Sequence, residues 1–384
     1  MRRPSWGALS NFLRVIFFVY LGIASLLALL FIWIGYPVAI WALAKVAADP
    51  IRPDYSRSLR RTVSVVLATR EAADAIAARV ENLFDTEHPA DLLQVVVALD
   101  AEGARATAAE LAELDSRVLV VRGDQPGGKA CALNAGVRAA TGEVLVMADT
   151  AQLFDRRTIP ELVAHLEDDR FGAVSGALEL GSSGGTSPVD LYWRLEKWLR
   201  QNESKLHSSI GVTGAVYATR RSTWPVLPPG VLLDDVFVPM SLVLSGLRIG
   251  FTLHARARDS RVFSTMAESK RKERTQTGVL QLLQLLPEIR SRKNPVRNAF
   301  VFHKLARLAS PFLVVSATLS LIVLSKSALL HLPVWCRAIV GAIVFSLFAL
   351  RPVRQAAHFT IRLLLSTLKA ILNAANGRWQ VWHK

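Results

Sequence analysis

Apolar positions fall along this chain in two patterns, long unbroken runs near the ends and short runs between helical repeats in the middle. From Val15 to Ala44 the chain is almost wholly apolar, and Phe17 to Ile34 carries no charge. That stretch is long enough to span a bilayer as a helix. Its length, and the lack of a small-residue cleavage site after it, argue against a removable signal peptide. Gly35, Tyr36 and Pro37 predict a bend in its second half. Leu305 to Ser325 and Leu332 to Leu350 are two more spanning candidates, parted by a short turn near Lys326. Val279 to Ile289 is too short to span and is flanked by Arg290, Arg292 and Lys293. It fits a helix lying on an anionic membrane surface, with a core helix as the alternative. Ala356 to Leu372 carries Arg362 and Lys369 and is also expected to be interfacial.

Between these ends the period changes. Val63, Val65, Val66 and Leu67 predict a first strand, Leu92 to Leu99 a second, Val118 to Val121 a third and Val144 to Met147 a fourth. Ala72 to Leu83, Ala104 to Leu114 and Lys129 to Ala140 predict the helices between them. The Lys129 helix opens after Gly127 and Gly128 and stops at Thr141-Gly142. Further on, Phe171 to Leu180 and Val212 to Thr219 predict strands, Gly181 to Pro188 a loop, and Thr223 to Gly230 a Pro-rich turn. In Val189 to Leu206 the stripe Leu191, Leu195, Trp198 and Leu199 has helical spacing and reads as a packing face. Strands alternating with helices predict an α/β domain with a mostly parallel sheet covered on both faces. No internal repeat is evident.

Composition sharpens the class. The chain is 51% hydrophobic with net charge +15, from 46 Lys+Arg against 31 Asp+Glu, and its mean hydropathy is +0.30. A chain both apolar and basic points to a membrane protein whose soluble part faces an anionic leaflet. The basic linker Lys45 to Arg61 just past the first helix is expected on the cytoplasmic side, although Arg2, Arg3 and Arg14 at the other end count against it, so the orientation rests partly on function. No zinc spacing, recognition helix or aromatic–basic motif supports nucleic acid as the partner. Cys131 and Cys336 make neither a disulfide framework nor a zinc site, which fits a reducing compartment.

Chemistry gathers at strand ends. Thr69-Arg70-Glu71, Asp100 and Asp149 each follow a predicted strand, where open α/β sheets bind ligands. Together they predict a nucleotide cleft. Asp149, with Lys129 at the mouth of the preceding helix, suits a metal-bound or otherwise neutralised diphosphate, while an aspartate there taken alone is more often a cap or loop residue than a ligand. Gly123, Gly128 and Lys129 match the first part of a P-loop. Ala130 then stands where the Mg²⁺-binding hydroxyl belongs, and Pro126 lacks an N–H for phosphate. Asp234 and Asp235 open another predicted helix, where the dipole stabilises carboxylates and N-capping is the plain alternative.

The segments VSVVLATRE, VVVALD, GGKACALNAG, VMADTAQ, GVTGAVYATRR, LLDDV and KRKERT, in this order, resemble membrane-embedded family 2 glycosyltransferases. These have the GT-A fold of cellulose, hyaluronan and poly-N-acetylglucosamine synthases. The resemblance covers nearly the whole chain, from the first helix to Trp379-Gln380-Val381-Trp382-His383-Lys384. It implies an N-terminal transmembrane helix over 1–45, a cytoplasmic GT-A domain over 46–275, an interfacial amphipathic helix over 276–300, and transmembrane and interfacial helices over 301–384.

By the same resemblance, Thr69, Glu71 and Asp100 contact the base and ribose of a UDP-sugar, and Lys129 lies near the uracil or diphosphate. Asp149 is the first acid of a DxD motif that binds Mg²⁺ or Mn²⁺ with the diphosphate. Asp235, with Asp234 beside it, is the acceptor-side base, and Arg271 and Arg274 hold the leaving diphosphate. Two departures stand out. Ala151 replaces the second DxD acid, so either Asp149 and the diphosphate alone hold the metal or a Lys or Arg stands in for it. KRKERT lacks the tryptophan of the QxxRW signature of processive synthases, which leaves single-sugar transfer open.

The expectation is an inverting transferase at the inner membrane, multi-pass, with its catalytic domain in the cytoplasm. It passes a sugar to a polysaccharide or lipid-linked acceptor. Its partners are membrane lipids and, for a polymer product, further copies or other biosynthetic subunits. The alternative is a degenerate, non-catalytic scaffold.

Overall fold

The computed structural model describes residues 6–181, 188–261, 265–329, 333–334 and 351–379. They form two compact units. The first comprises Met1–Val38, Thr265–Thr277 and Val301–Asn376; the second comprises Ala39–Ser264, Gly278–Phe300 and Gly377–Lys384.

The N-terminal apolar run is helical throughout. α1 (Trp6–Leu30) passes through a π-helical turn, Phe31–Gly35, into α2 (Tyr36–Val46). The expected bend at Gly35-Tyr36-Pro37 is this turn, with the Tyr36 N–H donating to the Phe31 carbonyl. The wider turn fits a site where Pro37 brings no N–H to the ladder.

The second unit is built on an eight-stranded sheet. Its elements are α3 (Tyr55–Ser58), β1 (Val63–Thr69), α4 (Ala73–Phe84), β2 (Leu93–Leu99), β3 (Val118–Arg122), α5 (Lys129–Ala139), β4 (Val144–Ala148), β5 (Leu153–Phe154), α6 (Thr158–Leu166), β6 (Phe171–Leu180), α7 (Pro188–Leu206), β7 (Val216–Arg220), α8 (Asp234–Leu244) and β8 (Arg248–Asp259). The strand order is β3-β2-β1-β4-β7-β6-β8-β5. β3, β2, β1 and β4 are mutually parallel, with Leu67 level with Ala148 and Thr69 level with Leu99. β1, β2 and β4 are buried nearly throughout, as continuous apolar runs require.

The sheet is mostly parallel, since β6 and β8 run with β1 to β4, but two of its strands are reversed. β7 lies antiparallel between β4 and β6, and β5 is antiparallel to β8. Between β6 and β7 the chain passes through α7 and then irregular chain. Two local expectations also change. Ala104–Leu114 forms turns with i→i−3 bonds, not a helix. It buries only Ala106 and Leu111, too little apolar face to hold a helix against the sheet. Residues 212–215 are not strand, because their polar groups are used elsewhere: Val212 N–H donates to the Asp235 carbonyl and Thr213 N–H to Ser175 Oγ. The loop expected at Gly181–Pro188 lies mostly outside the described residues.

α4 and α6 supply Ile76, Val80, Leu83, Ile159, Leu162, Val163 and Leu166 to the core on one sheet face. On the other face α5 comes very close: a Cβ on Gly136 would lie 2.7 Å from Val66 Cγ1.

α9 (Thr265–Leu285) starts in the first unit and ends in the second. Of the apolar residues expected to face a membrane at Val279–Ile289, Val279, Leu282 and Ile289 are buried inside the protein. After α10 (Arg297–Phe300) and a π-helical turn, α11 (Ala306–Leu329) lies against α1 in the first unit. Small polar residues meet there. Ser25 Oγ donates to Ser316 Oγ at 3.0 Å and Trp33 Nε1 to Ser310 Oγ at 3.0 Å, contacts that let apolar helices approach closely. Phe12–Val46 and Arg297–Lys326 are long and apolar enough to cross a membrane, by length and composition alone. The spanning candidate Leu332–Leu350 lies outside the described residues but for 333–334. α12 (Arg351–Ala375) closes the first unit, with Phe359, Ile361, Leu365 and Leu372 exposed.

Candidate functional site

Parallel register brings the ends of β1, β2 and β4 side by side, so the residues that follow them become neighbours. Thr69 Oγ1 accepts hydrogen bonds from Thr150 Oγ1 at 2.8 Å and from Glu71 N–H at 3.0 Å. Arg70 Nε donates to Asp100 Oδ2 at 2.5 Å. Asp100 also accepts from the N–H groups of Glu102 at 3.0 Å and Gly128 at 2.8 Å. Burial pushes the Asp100 carboxyl up, but those two N–H groups and the Arg70 guanidinium outweigh it and hold the group below the usual range. Asp100 thereby fixes the turn at Gly127 and Gly128, whose φ values of 94° and 90° favour glycine. Glu71 pairs with Arg105.

That turn launches α5, and Lys129 is the first residue of the helix. Its Nζ lies 2.9 Å from Asp149 Oδ1 and 3.5 Å from Asp234 Oδ2. Asn134, on the same helix, accepts from Leu227 N–H and donates to the Leu227 carbonyl, anchoring the Pro-rich turn that leads to α8. Asp234 and Asp235 open α8 as expected, and the structure separates them. Asp234 is buried against the lysine; Asp235 is half-buried, its carbonyl accepting from Val212. Gly214 borders both groups: a Cβ there would lie 3.3 Å from Asp235 Cβ and 3.9 Å from Lys129 Nζ.

The structure thus brings together Asp149, Lys129, Asp234 and Asp235, with Thr69 and Asp100 at the neighbouring strand ends. Arg271 and Arg274 lie on α9 within Thr265–Thr277, which belongs to the first unit.

Three residues escaped the sequence reading. Arg79 is buried on α4, and its Nε donates to the Asp149 carbonyl at 3.0 Å. Its place on the stripe Ile76, Val80, Leu83 is the signal that could have found it. Arg261 follows β8 and pairs with Asp259, which also accepts from Gln152 at 2.8 Å. This chain of bonds carries the guanidinium toward the Asp149–Gln152 turn. Tyr217 is fully buried on β7, and its hydroxyl has no hydrogen-bond partner among the described residues. Burial raises its pKa well above the usual value, and Asp234, Asp235 and Asp149 add to the rise. Strand alternation puts Tyr217 inside; nothing local in the sequence announces the acids around it.

The resemblance implies a divalent metal, and the residues present do not fit one. Asp149 is the one acid of the D-T-A triplet, and its Oδ1 already carries the Lys129 ammonium. Among the described residues, no three His, Cys, Asp or Glu side chains are grouped to hold an ion.

Residues 64–223 match the model of Glycosyl transferase family 2. Among solved structures, the mannosyltransferase PcManGT from Pyrobaculum calidifontis, in complex with GDP-Man and Mn²⁺, superimposes with a TM-score of 0.70. The two chains share 22% identity over 92% of this chain and 99% of that one. A mycobacterial protein matches more distantly, with a TM-score of 0.44 and 18% identity over 61% of this chain and 79% of that chain. No curated protein sequence matches. The sheet thus shares its fold with that mannosyltransferase, and the Glycosyl transferase family 2 match covers residues 64–223 of the 384.

Proposed function

We propose that this protein is an inverting glycosyltransferase that takes its sugar from a nucleoside-diphosphate sugar. The observation that carries the reading is the convergence of Asp149, Lys129 and Asp234 from three separate elements beside the strand ends of Thr69 and Asp100. In this reading Thr69 and Asp100 meet the nucleoside, and Lys129 the diphosphate.

Asp235, more open than Asp234, takes the proton of the acceptor hydroxyl as that oxygen attacks the anomeric carbon. The bond from that carbon to the diphosphate oxygen breaks, and the nucleoside diphosphate leaves with the electron pair. Attack opposite the leaving group inverts the centre, so an α-linked donor gives a β-linked product. Lys129 offsets the charge that develops on the leaving group.

The resemblance implies a UDP-sugar, while the structural neighbour binds GDP-Man. The acceptor is a growing glycan or a lipid-linked sugar. The same reading sets the chain in the inner membrane with the domain in the cytoplasm, where nucleotide sugars are made. Phe12–Val46, Arg297–Lys326 and the basic linker Lys45–Arg61 support this placement.

A non-catalytic scaffold is the second reading, favoured by Ala151. Release of nucleoside diphosphate by the purified full chain, across a panel of UDP- and GDP-sugars, separates the two. Release from one donor above a no-enzyme control is expected; no release from any donor, with or without membrane extract as acceptor, would overturn the transferase reading.

A further inference from the structure

We propose that the donor diphosphate is held here by the chain's own cations, Lys129 and Arg261, without a divalent metal ion. The proposal rests on the nucleotide-sugar reading and specifies how that site neutralises its ligand.

Two positive side chains contact Asp149, and a third is tied through Asp259 to Gln152 of the same turn. The Lys129 ammonium is in contact with its carboxylate at 2.9 Å. Arg79 is buried, and its Nε is 3.0 Å from the Asp149 carbonyl oxygen; burial lowers its pKa and the Asp149 charge opposes that shift. Arg261 is held by Asp259 through Nε at 2.9 Å and Nη2 at 2.7 Å, and Asp149 adds to the stabilisation that Asp259 gives its charge. A divalent cation approaching Asp149 meets Lys129 and Arg79, and like charges at such range repel strongly where water is partly excluded. It also finds Ala151 where a second oxygen ligand is needed.

A diphosphate, by contrast, gains from positive side chains. Lys129 is 28% exposed and Arg261 49% exposed, so both can turn toward an incoming anion. Lysine meets phosphate as a point charge and arginine as a planar fork. Lys129 also stands at the first position of α5, where the helix dipole favours an anion.

The test is calorimetric titration of the full chain in detergent with UDP and with GDP, once in excess EDTA and once in excess Mg²⁺ or Mn²⁺. Binding of one nucleotide with a Kd that differs by less than about threefold between the two conditions is expected. Lys129→Met should weaken that binding in EDTA by about tenfold or more, the size of one lost charge-assisted hydrogen bond. Lys129→Arg should retain most of it, which separates a lost cation from a misfolded helix. Electron paramagnetic resonance of Mn²⁺ gives a readout on the unmutated chain: protein added to a Mn²⁺–nucleotide mixture should not further reduce the free-ion signal. Nucleotide binding that appears only with Mg²⁺ or Mn²⁺ would overturn the proposal and leave the transferase reading standing. No binding of either nucleotide in either condition would overturn both.

Discussion

The ammonium of Lys129 lies 3.5 Å from a carboxylate oxygen of Asp234, a side chain only 6% exposed. The first residue of one helix thus compensates a buried charge at the first position of another. Removing the lysine leaves Asp234 buried without this partner and facing Asp149. Breaking a fully buried pair costs several kcal/mol, but Lys129 is partly exposed, so Lys129→Met should destabilise the domain by about 1–2 kcal/mol. Adding Asp234→Asn should recover most of that loss, because the uncompensated charge goes with it. Denaturant unfolding of the detergent-solubilised chain measures both; equal stability of Lys129→Met and the unmutated protein would show that the pair contributes nothing.

Asp234 and Asp235 are adjacent in sequence and should differ in effect. Asp235→Asn keeps the shape but cannot accept the acceptor's proton. It should lower sugar transfer by about 100-fold or more with nucleotide affinity nearly unchanged. Asp234→Asn retains the base and loses the partner of Lys129, so its effect should fall on nucleotide affinity first. Paired turnover and nucleotide-titration measurements on the two variants distinguish these roles. Transfer at near the unmutated rate in Asp235→Asn would remove Asp235 as the base.

The parallel half of the sheet was legible because each of its inner strands is an unbroken apolar run ending in a polar residue. Asp100 and Asp149 could be placed from that pattern alone. The Gly127-Gly128-Lys129 turn was legible for the same local reason. Beyond β4, β6 was legible over its full length and β7 in part, while β8 and β5 were not. β8 carries Arg256 and Arg258 on its exposed side, alternating with buried Ala255, Ala257 and Asp259. Read as a basic stretch, Arg256 to Arg274 conceals that alternation. β5 is two residues long and exists only through its pairing with β8. The contact of Lys129 with Asp234 depends on where α8 begins in space, which no local spacing encodes. Arg79 reads as an ordinary solvent charge unless its position on the apolar stripe of α4 is weighed.

Asp100 gives a pH signature. Its folded-state pKa is depressed below 3.8, so it binds a proton less readily folded than unfolded. The stability it contributes is fully present above the unfolded value and is lost as pH falls through the folded one. Asp100→Asn should therefore be less stable than the unmutated chain at pH 6, and the gap should shrink as pH falls below the ordinary carboxylate value and the native carboxylate takes up its proton. Unfolding midpoints of the two proteins across that range test it; a gap that persists unchanged in acid would mean the carboxylate charge is not what holds the Gly128 turn.

Gly136 tests how closely α5 must approach the sheet for Lys129 to reach its acids. Alanine is the better helix former by about 1 kcal/mol, so Gly136→Ala would stabilise an unconstrained helix. Here the new Cβ would lie 2.7 Å from Val66 Cγ1 and 3.2 Å from Ala98 Cβ, both in fully buried side chains that have no room to turn. Overpacking of that kind costs about 1–3 kcal/mol, so the net effect should be destabilising. The clash should also lift the start of α5 and weaken nucleotide binding without touching any group at the site. Val66→Ala removes the nearest methyl groups, and the double variant should be more stable than the sum of the two single losses predicts. A double-mutant cycle on unfolding free energy, run beside nucleotide titrations, measures that coupling. Strict additivity would mean that Gly136 and Val66 do not set the helix-to-sheet distance.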